Sequence, residues 1–508
     1  MEVLLNAKQM KACDERTISL GIPSMVLMER AALAVVEEME KAALDLSKVL
    51  VVCGSGNNGG DGFAVARLLS GRGQMAVCFV GKETSMTKET ALQRHICENF
   101  GLKISSNFPD GEYTTIVDAM LGIGLSRAVE GRYAEVIEWI NAQPAKVVAV
   151  DIPSGVSADG QGVFGTAVRA DLTVTFAARK LGQILYPGAA YCGRLICRDI
   201  GIPVSAVPPR IFTYTKQDLI RLPKRVPASH KGTYGKVLLI AGSEGMSGAA
   251  TLAARAAFRS GCGMVRVFTP SCNRTVIQTV IPEAMVTTWE PGEEKLRLLE
   301  KALAWSDVVG IGPGLGTSED AGELLRFCLE HCDRPLVIDA DGLNLLSAYL
   351  SAQTSTTETF LLPDFLRGKV ILTPHIGEMG RLAGMDCKAI AADLIGTAQQ
   401  FALRHKVICV LKDARTVVSD GKQTYLNTSG NDGMAVAGSG DVLTGVICGL
   451  LAQGMPVFDA AALGVYLHGL AGDLARAELG AHGMMAGEIA DSVGKVLKES
   501  IEKADTGM

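Results

Sequence analysis

The sequence is poor in aromatic residues and has no long apolar run. Aromatic side chains make up 5% of the 508 residues, and no stretch reaches the roughly 18 consecutive apolar residues that a membrane-spanning helix needs. The first residues also lack a basic segment followed by a long apolar one, which argues against a secretory signal peptide. We therefore expect a cytoplasmic protein with no membrane partner.

A strong net charge and paired cysteines are absent as well. The 49 Lys and Arg residues nearly balance the 54 Asp and Glu residues, so the net charge of −5 does not favour a nucleic acid partner. The 13 cysteines include no CxxC pair and are typical of reduced thiols buried in a core. These absences leave the motifs to decide the function.

The abundant features are glycine, at 57 residues, and short apolar runs that alternate with helical patterns. Such alternation predicts parallel sheets covered by helices on both faces, an α/β fold. The chain is too long for one core, and a proline-rich segment at 201–227 separates two series of runs. We therefore predict two domains, 1–212 and 213–508. The predicted strands are Val49–Val52, Met75–Val80, Thr115–Val117, Val147–Val150, Leu172–Phe176, Val237–Ile240, Val265–Phe268, Asp307–Ile311, Leu336–Ile338, Val370–Leu372 and Ile408–Leu411, and the predicted helices include Ser24–Leu44, Gly62–Ser70, Ala249–Arg259 and Val442–Leu451.

A glycine-rich loop, Gly54–Gly62, follows the first of these strands and opens a helix. It has the GxGxxG spacing of dinucleotide-binding loops, but the next strand ends without an acidic residue for a ribose. Backbone N–H groups at such a helix start can bind an anion. Alternatively, the glycines only make the turn and Asp61 caps the helix. Asn57 and Asn58 are more polar than a turn requires.

Polar residues follow three further strands of the first domain. Asp118 follows one strand, Asp151–Gly155 another and Thr175–Lys180 a third. Because the carboxyl ends of parallel strands share one edge of a sheet, these loops can meet in one crevice. Oxygen atoms of Asn58, Asp118 and Ser154 could surround a hard cation there. The alternative is that an Asp at a strand end only caps its loop.

Together these segments resemble the NAD(P)H-hydrate epimerase family over about residues 1–210. The motifs are Asn57-Asn58-Gly59-Gly60-Asp61-Gly62, Asp118-Ala119-x-x-Gly122-x-Gly124 and Asp151-Ile152-Pro153-Ser154-Gly155. The resemblance implies a Rossmann-like three-layer sandwich that binds K⁺ and interconverts the R and S epimers of hydrated NADH and NADPH. It also implies that Asp151 is the acid/base group. The same loop occurs in non-enzymatic scaffolds of mRNA decapping, but the presence of Asp118 and Asp151 argues against that alternative.

The resemblance further implies two sets of ligand residues in the first domain. The K⁺ ligands would be Asn58, Asp118 and Ser154. The residues expected to contact the hydrated dinucleotide are Asn57, Asn58, Gly59, Gly60, Asp61, Gly122, Ile123, Gly124, Leu125, Ser126, Arg127, Ala128 and Asp151.

In the second domain, Gly438-Ser439-Gly440-Asp441 precedes an apolar helical pattern. The N–H groups and dipole at the start of that helix form an anion hole. Asp441 could accept a proton from a hydroxyl as a phosphoryl group arrives, although in isolation a helix cap explains it better. Three loops at other strand ends favour the functional interpretation. They are Gly310–Gly316, Thr373–Glu378 and Lys412–Thr416, the last of which supplies cations for phosphates.

These segments resemble the ribokinase-like superfamily, and within it the ADP/ATP-dependent NAD(P)H-hydrate dehydratases, over about residues 215–508. The motifs are His230-Lys231-Gly232-x-Tyr234-Gly235, Gly312-Pro313-Gly314-Leu315-Gly316, Asp339-Ala340-Asp341-Gly342-Leu343-Asn344, Thr373-Pro374-His375 and Asn431-x-Gly433-Met434-Ala435. The resemblance implies that the hydrate binds near Gly248, Gly314, His375 and Asp441. It implies that the nucleotide binds at Lys412, Asp413, Ala414, Arg415, Thr416 and Gly440.

A kinase-like fold suits a dehydration because hydroxide is a poor leaving group whereas a phosphate ester leaves easily. By resemblance, Asp441 deprotonates the ring hydroxyl of the S hydrate, the nucleotide's terminal phosphoryl group is transferred, and loss of phosphate restores NADH or NADPH. Mg²⁺ would neutralise the phosphates. We expect ADP rather than ATP as co-substrate, because the fused arrangement resembles bacterial members of the family, and we expect a homo-oligomer.

A different enzyme class remains an alternative for the second domain. A kinase of the hydroxymethylpyrimidine or hydroxyethylthiazole type, fused to a non-catalytic dinucleotide-binding or scaffold domain, would share Gly438–Asp441. It would leave the runs Asn427–Ala435 and Asn57–Asp61 unexplained.

Overall fold

A computed structural model describes residues 1–107, 111–204, 211–292, 294–353 and 363–505. The chain divides into two compact units, Glu2–Pro209 and Arg210–Met508. The predicted boundary after residue 212 lies inside a strand, Ile211–Thr213, which pairs with Thr424–Leu426 of the second unit. Residues 205–210 of the proline-rich junction lie outside the described residues. The functional domains 1–212 and 213–508 therefore stay a prediction.

The first unit alternates strands and helices along the chain. Its strands are β1 (Glu2–Leu5), β2 (Lys48–Cys53), β3 (Gln74–Phe79), β4 (Ile104–Ser105), β5 (Thr115–Ala119), β6 (Lys146–Val150), β7 (Leu172–Phe176), β8 (Arg179–Lys180) and β9 (Arg194–Arg198). Its helices are α1 (Ala7–Ser19), α2 (Ser24–Lys41), α3 (Asn57–Leu69), α4 (Lys88–Asn99), α5 (Arg132–Ala142) and α6 (Leu181–Ile184), with 3₁₀ turns at Glu83–Ser85 and Gly188–Tyr191. Among the described residues, seven parallel strands form a sheet in the order β4-β3-β2-β5-β6-β7-β9, and β1 pairs with β8.

Alternate residues of the central strand β2 are buried on opposite faces of this sheet. Val49 and Val51 join one hydrophobic cluster, to which α2 and α3 contribute, whereas Leu50 and Val52 join another, to which α5 contributes. Because successive side chains of a strand point to opposite faces, helices must cover both sides of the sheet. The predicted three-layer α/β arrangement is confirmed.

The strand order of the first unit reverses between β2 and β5. From β2 the chain moves outward to β3 and β4, and it then returns to the other side of β2. Cys53 pairs in register with Ala119, so the loops that follow β2 and β5 leave the sheet side by side. In a parallel α/β sheet, a reversal of this kind opens a ligand-binding crevice at the carboxyl edge.

The second unit is a longer alternation of the same kind. Its strands are β10 (Ile211–Thr213), β11 (Lys236–Ile240), β12 (Met264–Pro270), β13 (Met285–Trp289), β14 (Val308–Ile311), β15 (Leu336–Ile338), β16 (Val370–Leu372), β17 (Ile408–Leu411), β18 (Val417–Ser419) and β19 (Thr424–Leu426). Its helices are α7 (Ser247–Arg259), α8 (Arg274–Val280), α9 (Glu294–Trp305), α10 (Glu319–His331), α11 (Asp341–Gln353), α12 (Ile376–Ala383), α13 (Cys387–Ala392), α14 (Leu394–His405), α15 (Ser439–Ala452), α16 (Val457–Leu479) and α17 (Ala486–Asp505).

The sheet of the second unit is parallel through its main body. The strand order is β13-β12-β11-β14-β15-β16-β17-β18-β19-β10, and only β18 runs antiparallel to its neighbours in this part of the described chain. Residues Val237 and Leu239 of β11 share a hydrophobic cluster with α7, α15 and α16. The order reverses between β11 and β14, so their following loops diverge there. The predicted α/β class is confirmed for this unit too.

Helix α3 begins earlier than the apolar pattern predicts. It starts at Asn57 rather than Gly62, and Gly56 precedes it without a side-chain cap. Asp61 is therefore the fifth residue of the helix, and the capping alternative for it is wrong. Glycines lower helix propensity, which hides this first turn from an analysis of apolar spacing.

Helix α15 shows the same effect. It starts at Ser439 rather than Val442, after Gly438 with a φ of 92°. Asp441 is its third residue and not its cap, so the capping alternative is wrong here as well.

The cysteines and the helices bear on two further expectations. All 13 cysteines are free and ten of them are buried, as expected for core thiols. Within the described residues, no helix combines the length and the apolar character needed to cross a membrane.

Candidate functional sites

The glycine-rich loop after β2 is packed too tightly for side chains at three positions. A Cβ at Gly54 would lie 1.9 Å from the carbonyl oxygen of Met120, and one at Gly59 would lie 1.9 Å from the carbonyl oxygen of Gly54. A Cβ at Gly62 would lie 2.4 Å from the Ala119 Cβ. Packing alone explains these glycines, so the functional argument depends on the polar residues between them.

Asp118, near the end of β5, is a fully buried carboxylate. It accepts hydrogen bonds from the backbone N–H of Met120 at 3.2 Å, the backbone N–H of Ser154 at 2.7 Å and the Ser154 hydroxyl at 2.6 Å. Burial raises its pKa to about 6, although these hydrogen bonds act in the opposite direction. The loops after β5 and β6 are thus joined through one carboxylate, and among the described residues no cation is paired with it.

Asn58, in the first turn of α3, has an unsatisfied polar atom. Its amide nitrogen donates to the Leu121 carbonyl oxygen at 3.3 Å, whereas its Oδ1 is buried without a hydrogen-bond partner among the described residues. Only 8% of the residue is exposed. Buried polar atoms are almost always hydrogen-bonded or bound to an ion, so this oxygen indicates a place for a ligand.

Asp151 has a strained backbone conformation, and its side chain is paired with a buried cation. Its φ of 62° lies in the left-handed region, which residues other than glycine rarely adopt. Its Oδ1 accepts hydrogen bonds from Lys180 Nζ at 2.5 Å and from the Thr175 hydroxyl at 2.9 Å. The Lys180 side chain is only 1% exposed. This pair is an ammonium and a carboxylate kept largely away from water.

A cavity of about 520 Å³ opens beside these residues. This volume is typical of a small-molecule site. Its charged and amide-bearing lining residues are Lys8, Lys11, Asp14, Asn57, Asn58, Asp61, Asp151 and Lys180. Its apolar lining comes mainly from α1 and α2, with Phe176 and three isoleucines, Ile123, Ile200 and Ile202, from later in the unit.

The cavity brings together about half of the predicted dinucleotide contacts. The predicted residues that line it are Asn57, Asn58, Asp61, Gly122, Ile123, Gly124 and Asp151. Gly59 and Gly60 are buried within α3, and Ser126–Ala128 are exposed on the following loop without lining the cavity. Leu125 is half-buried and also lies outside the lining. The contacts with a dinucleotide stay predictions.

Sequence reasoning missed four charged residues of this cavity, Lys8, Lys11, Asp14 and Lys180, of which the last two interact with Asp151. Lys180 belongs to a strand-end segment that was noted without a role, and its proximity to Asp151 could have been inferred from the shared sheet edge. Asp14 lies on an amphipathic helix without any motif, so no local signal identifies it. Burial and the Asp151 carboxylate raise the pKa of Asp14 to about 6.

Asp339, just after β15, organises the predicted site of the second unit. It is 1% exposed. Its carboxylate accepts hydrogen bonds from the Thr373 hydroxyl at 2.7 Å, from Lys412 Nζ at 2.7 Å and from the Thr444 hydroxyl at 2.8 Å. These partners follow β16 and β17 or belong to α15, so one carboxylate joins three elements. Sequence reasoning quoted Asp339 in a motif but assigned it no role.

The Lys412 ammonium, predicted to meet phosphates, is thus already paired with a buried carboxylate. Lys412 also lies next to the start of α15, because a Cβ at Gly440 would be 3.3 Å from its Nζ. The structure therefore places Gly440 and Lys412 side by side, as expected for residues of one site. Their binding of a nucleotide stays a prediction.

Asp441 lies in the first turn of α15 beside this network. Burial, and then the Asp339 carboxylate, raise its pKa to about 7, while the Lys412 ammonium lowers it. A carboxyl group with a pKa near neutrality can both accept and release a proton under physiological conditions. Such a pKa suits the general base predicted at this helix N-terminus, and the catalytic role of Asp441 stays a prediction.

His375 has a structural role through one ring nitrogen. Its Nδ1 accepts hydrogen bonds from the N–H groups of Gly377 at 3.0 Å and Glu378 at 3.3 Å, which caps α12. The side chain is nevertheless 54% exposed. Contact of His375 with a hydrate stays a prediction.

The remaining predicted residues of the second unit differ in their surroundings. Gly314 has a φ of 57° and its Cβ would lie 2.8 Å from that of Ala249, whereas a Cβ at Gly248 would meet open space. Asp413 and Ala414 are exposed, and the Thr416 hydroxyl donates to the Asp413 carbonyl at 3.4 Å. Arg415 donates to the Thr428 carbonyl at 3.3 Å.

Comparison with known proteins covers both units. A family model described as NAD(P)H-hydrate dehydratase matches residues 237–495, and one described as YjeF-related protein N-terminus matches residues 24–182. The bifunctional NAD(P)H-hydrate repair enzyme of Moorella thermoacetica is 38% identical to this chain, over 99% of it and 98% of the relative. That of Escherichia coli is 36% identical, over 95% of this chain and 91% of the relative. A solved ribokinase-like superfamily protein from Enterococcus faecalis is 30% identical, with a TM-score of 0.50, and covers 57% of this chain and 96% of its own.

The fold and the sites define a fusion of a three-layer α/β unit with a ribokinase-like unit. The chain belongs to the family of bifunctional NAD(P)H-hydrate repair enzymes. The predicted family resemblance of both halves is confirmed.

Proposed function

We propose that this chain repairs hydrated NADH and NADPH in two reactions. The first unit interconverts the R and S hydrates, and the second unit dehydrates the S hydrate back to the reduced cofactor at the expense of ADP. The observation that carries the proposal is a base with a pKa of about 7, Asp441, in the first turn of a helix beside the Lys412 ammonium. That arrangement suits proton removal coupled to phosphoryl transfer.

In the second unit, Asp441 takes the proton of the ring hydroxyl, and the hydroxyl oxygen attacks the terminal phosphoryl group of ADP. The first-turn N–H groups of α15 stabilise the charge that develops on the transferred group. Phosphate then leaves with the electron pair of its carbon–oxygen bond, and loss of a proton from the neighbouring ring carbon forms the double bond of NADH. Lys412, held by Asp339, keeps a positive charge close to the reacting oxygens.

We assign the nucleotide to Lys412–Thr416 and Gly440. Among the described residues, no three His, Cys, Asp or Glu side chains come together in a group suited to a metal ion. Mg²⁺ would therefore be held chiefly by the nucleotide phosphates, whose negative charge it would reduce.

In the first unit, we assign K⁺ to Asn58, Asp118 and Ser154. Two observations support the fit: the Asn58 Oδ1 lacks a partner, and the buried Asp118 carboxylate lacks a paired cation among the described residues. Oxygen ligands of this type suit hard cations. The ion would compensate the buried charge of Asp118 and join the loops at the cavity.

The experiment supplies the purified full chain with a mixture of R and S hydrates and with either ADP or ATP. We expect complete recovery of NADH absorbance with ADP, including the R fraction, and no stable phosphorylated product. Asp441→Asn should abolish recovery but preserve epimer exchange, whereas Asp151→Asn should recover only the S fraction promptly. No recovery with either nucleotide would contradict the proposal, and an accumulating phosphate ester would favour a vitamin-precursor-type kinase.

We also propose a cytoplasmic homo-oligomer whose ligands are small molecules and which binds no nucleic acid. Light scattering of the purified chain and fractionation of its native cells measure these properties. A monomer or a membrane-associated chain would contradict them.

A further inference from the structure

A carboxylate on the first helix lines the cavity of the first unit. Asp14 lies on α1 and shares the cavity wall with Asp151 and Lys180. Within the described residues, its half-buried side chain has no hydrogen bond and no ion pair. Asn58 also lines the cavity, and its buried Oδ1 has no hydrogen-bond partner among the described residues. Asp14 is therefore available to a ligand.

The start of α1 is fixed next to the segment that carries Lys180. Asn6 and Gln9 form reciprocal capping hydrogen bonds of 2.8 and 3.1 Å, and the Ala7 N–H donates to Asp159 at 2.7 Å. The strand just before α1 pairs with β8, and Leu5 lies opposite Lys180. Asp14 is thus a positioned part of the cavity wall rather than a freely mobile surface group.

Charged groups from several elements surround Asp14. Burial and the Asp151 carboxylate raise its pKa to about 6, whereas the Lys180 ammonium lowers it. A carboxyl group in that range can both donate and accept a proton near neutral pH. Burial also raises the pKa of Asp61 well above its usual range, and the Asp151 and Asp14 carboxylates act in the same direction. The charged or titratable groups that line the cavity or act on Asp14 are Lys8, Lys11, Glu15, Asp61, Asp151 and Lys180.

We propose that Asp14 is a second catalytic residue of the epimerase, acting in partnership with Asp151. This rests on the proposed function of the first unit. In the route we propose, the hydroxyl leaves one face of the ring and water arrives on the other. Asp14 and Asp151 come from different elements and both line the cavity, so we assign one of them to each face of the bound ring.

The proton balance assigns complementary roles to the two residues. The Asp14 carboxylic acid protonates the departing hydroxyl, and the carbon–oxygen bond breaks with its electron pair leaving on water. The lone pair of the adjacent ring nitrogen forms a carbon–nitrogen double bond, so the carbon becomes planar. Water then attacks the opposite face and gives its proton to the Asp151 carboxylate. One proton is donated and one accepted, nothing is oxidised or reduced, and the opposite conversion reverses the roles.

The test compares Asp14→Asn with a control, Glu138→Gln, in the full chain. Glu138 is an exposed carboxylate on α5 that neither lines the cavity nor acts on the pKa of Asp14. Epimer exchange is measured without nucleotide, and dehydration of the pure S hydrate is measured with ADP. We expect Asp14→Asn to slow exchange by about 100-fold or more, the usual contribution of a general acid or base, and to leave dehydration unchanged. Glu138→Gln should change neither rate.

Two further readouts separate a catalytic role from a structural one. The kcat/KM for exchange by the parent chain should fall as the pH rises above about 6, with loss of the Asp14 proton, and the residual activity of Asp14→Asn should lack that limb. In water enriched in ¹⁸O, each inverted hydrate should carry one solvent oxygen. Full exchange by Asp14→Asn, or inversion that retains the original oxygen, would overturn this proposal alone. A parent chain without any exchange would overturn the proposed epimerase function and this role with it.

Discussion

Two buried aspartates at strand ends, Asp118 and Asp339, illustrate how charge is managed at the scale of single residues. Both accept hydrogen bonds from hydroxyl groups and join loops that follow neighbouring strands. Asp339 also has an ammonium partner in Lys412, whereas Asp118 has none among the described residues. A buried charge needs compensation. Lys412 compensates the charge of Asp339 within the protein, and we predict that a bound cation compensates the charge of Asp118.

The pKa of Asp441 leads to a prediction about pH. Because a base acts only when ionised, kcat/KM for dehydration of the S hydrate should rise with pH through about 7 and then level off. Asp341→Asn should move that midpoint to lower pH, since the Asp341 charge raises the pKa of Asp441. The measurement is a pH series with ADP, with Asp333→Asn, at an exposed site, as the control. An unchanged midpoint in Asp341→Asn would argue against this electrostatic account.

At the scale of elements, the close approach of α7 and α15 positions the base. Both helices present small residues at their contact, and a Cβ at Gly445 would lie 2.1 Å from the Ala253 carbonyl oxygen and 2.8 Å from the Ala256 Cβ. A Cβ at Gly449 would lie 2.7 Å from the Ala257 carbonyl oxygen. Glycine is unfavourable within a helix, so its presence here is explained by packing and not by helix propensity.

We predict that Gly445→Ala destabilises the second unit by about 1–3 kcal/mol, because the added methyl group forces the two helices apart. The control is Gly487→Ala in α17, where a Cβ meets nothing within 4 Å. That change should leave stability unchanged or raise it by up to about 1 kcal/mol, the difference in helix propensity. Denaturant unfolding of both variants measures this, and equal stabilities would show that the interface can accommodate a side chain.

Element positions were predictable from the sequence to different degrees. The strand runs at Leu172–Phe176 and Val370–Leu372 are reproduced residue for residue, because continuous apolar segments are the pattern of a sheet buried on both faces. The starts of α3 and α15 were not, since glycines occupy their first turns. Those first turns carry Asn58 and Asp441, so the least predictable helical residues are the ones with chemical roles.

At the scale of the whole molecule, each unit has its own sheet, core and candidate site. We therefore predict that two defective chains complement each other in solution. A mixture of Asp151→Asn and Asp441→Asn chains should recover NADH from both epimers, because the hydrates diffuse between molecules. The measurement compares the mixture with each variant alone at the same total concentration. Failure of the mixture to clear the R hydrate would mean that both sites must belong to one chain.

The sequence by itself determined the α/β class, the two series of strands and helices, and the loops that gather at the sheet edges. It did so because apolar periodicity and glycine-rich motifs are local signals. Only the tertiary structure decided which charges meet. It pairs Lys412 with Asp339 and Lys180 with Asp151. It also brings Asp14 into the cavity with Asp151. Most of these contacts join residues far apart in the chain, and a motif cannot specify the partner that a buried charge will take.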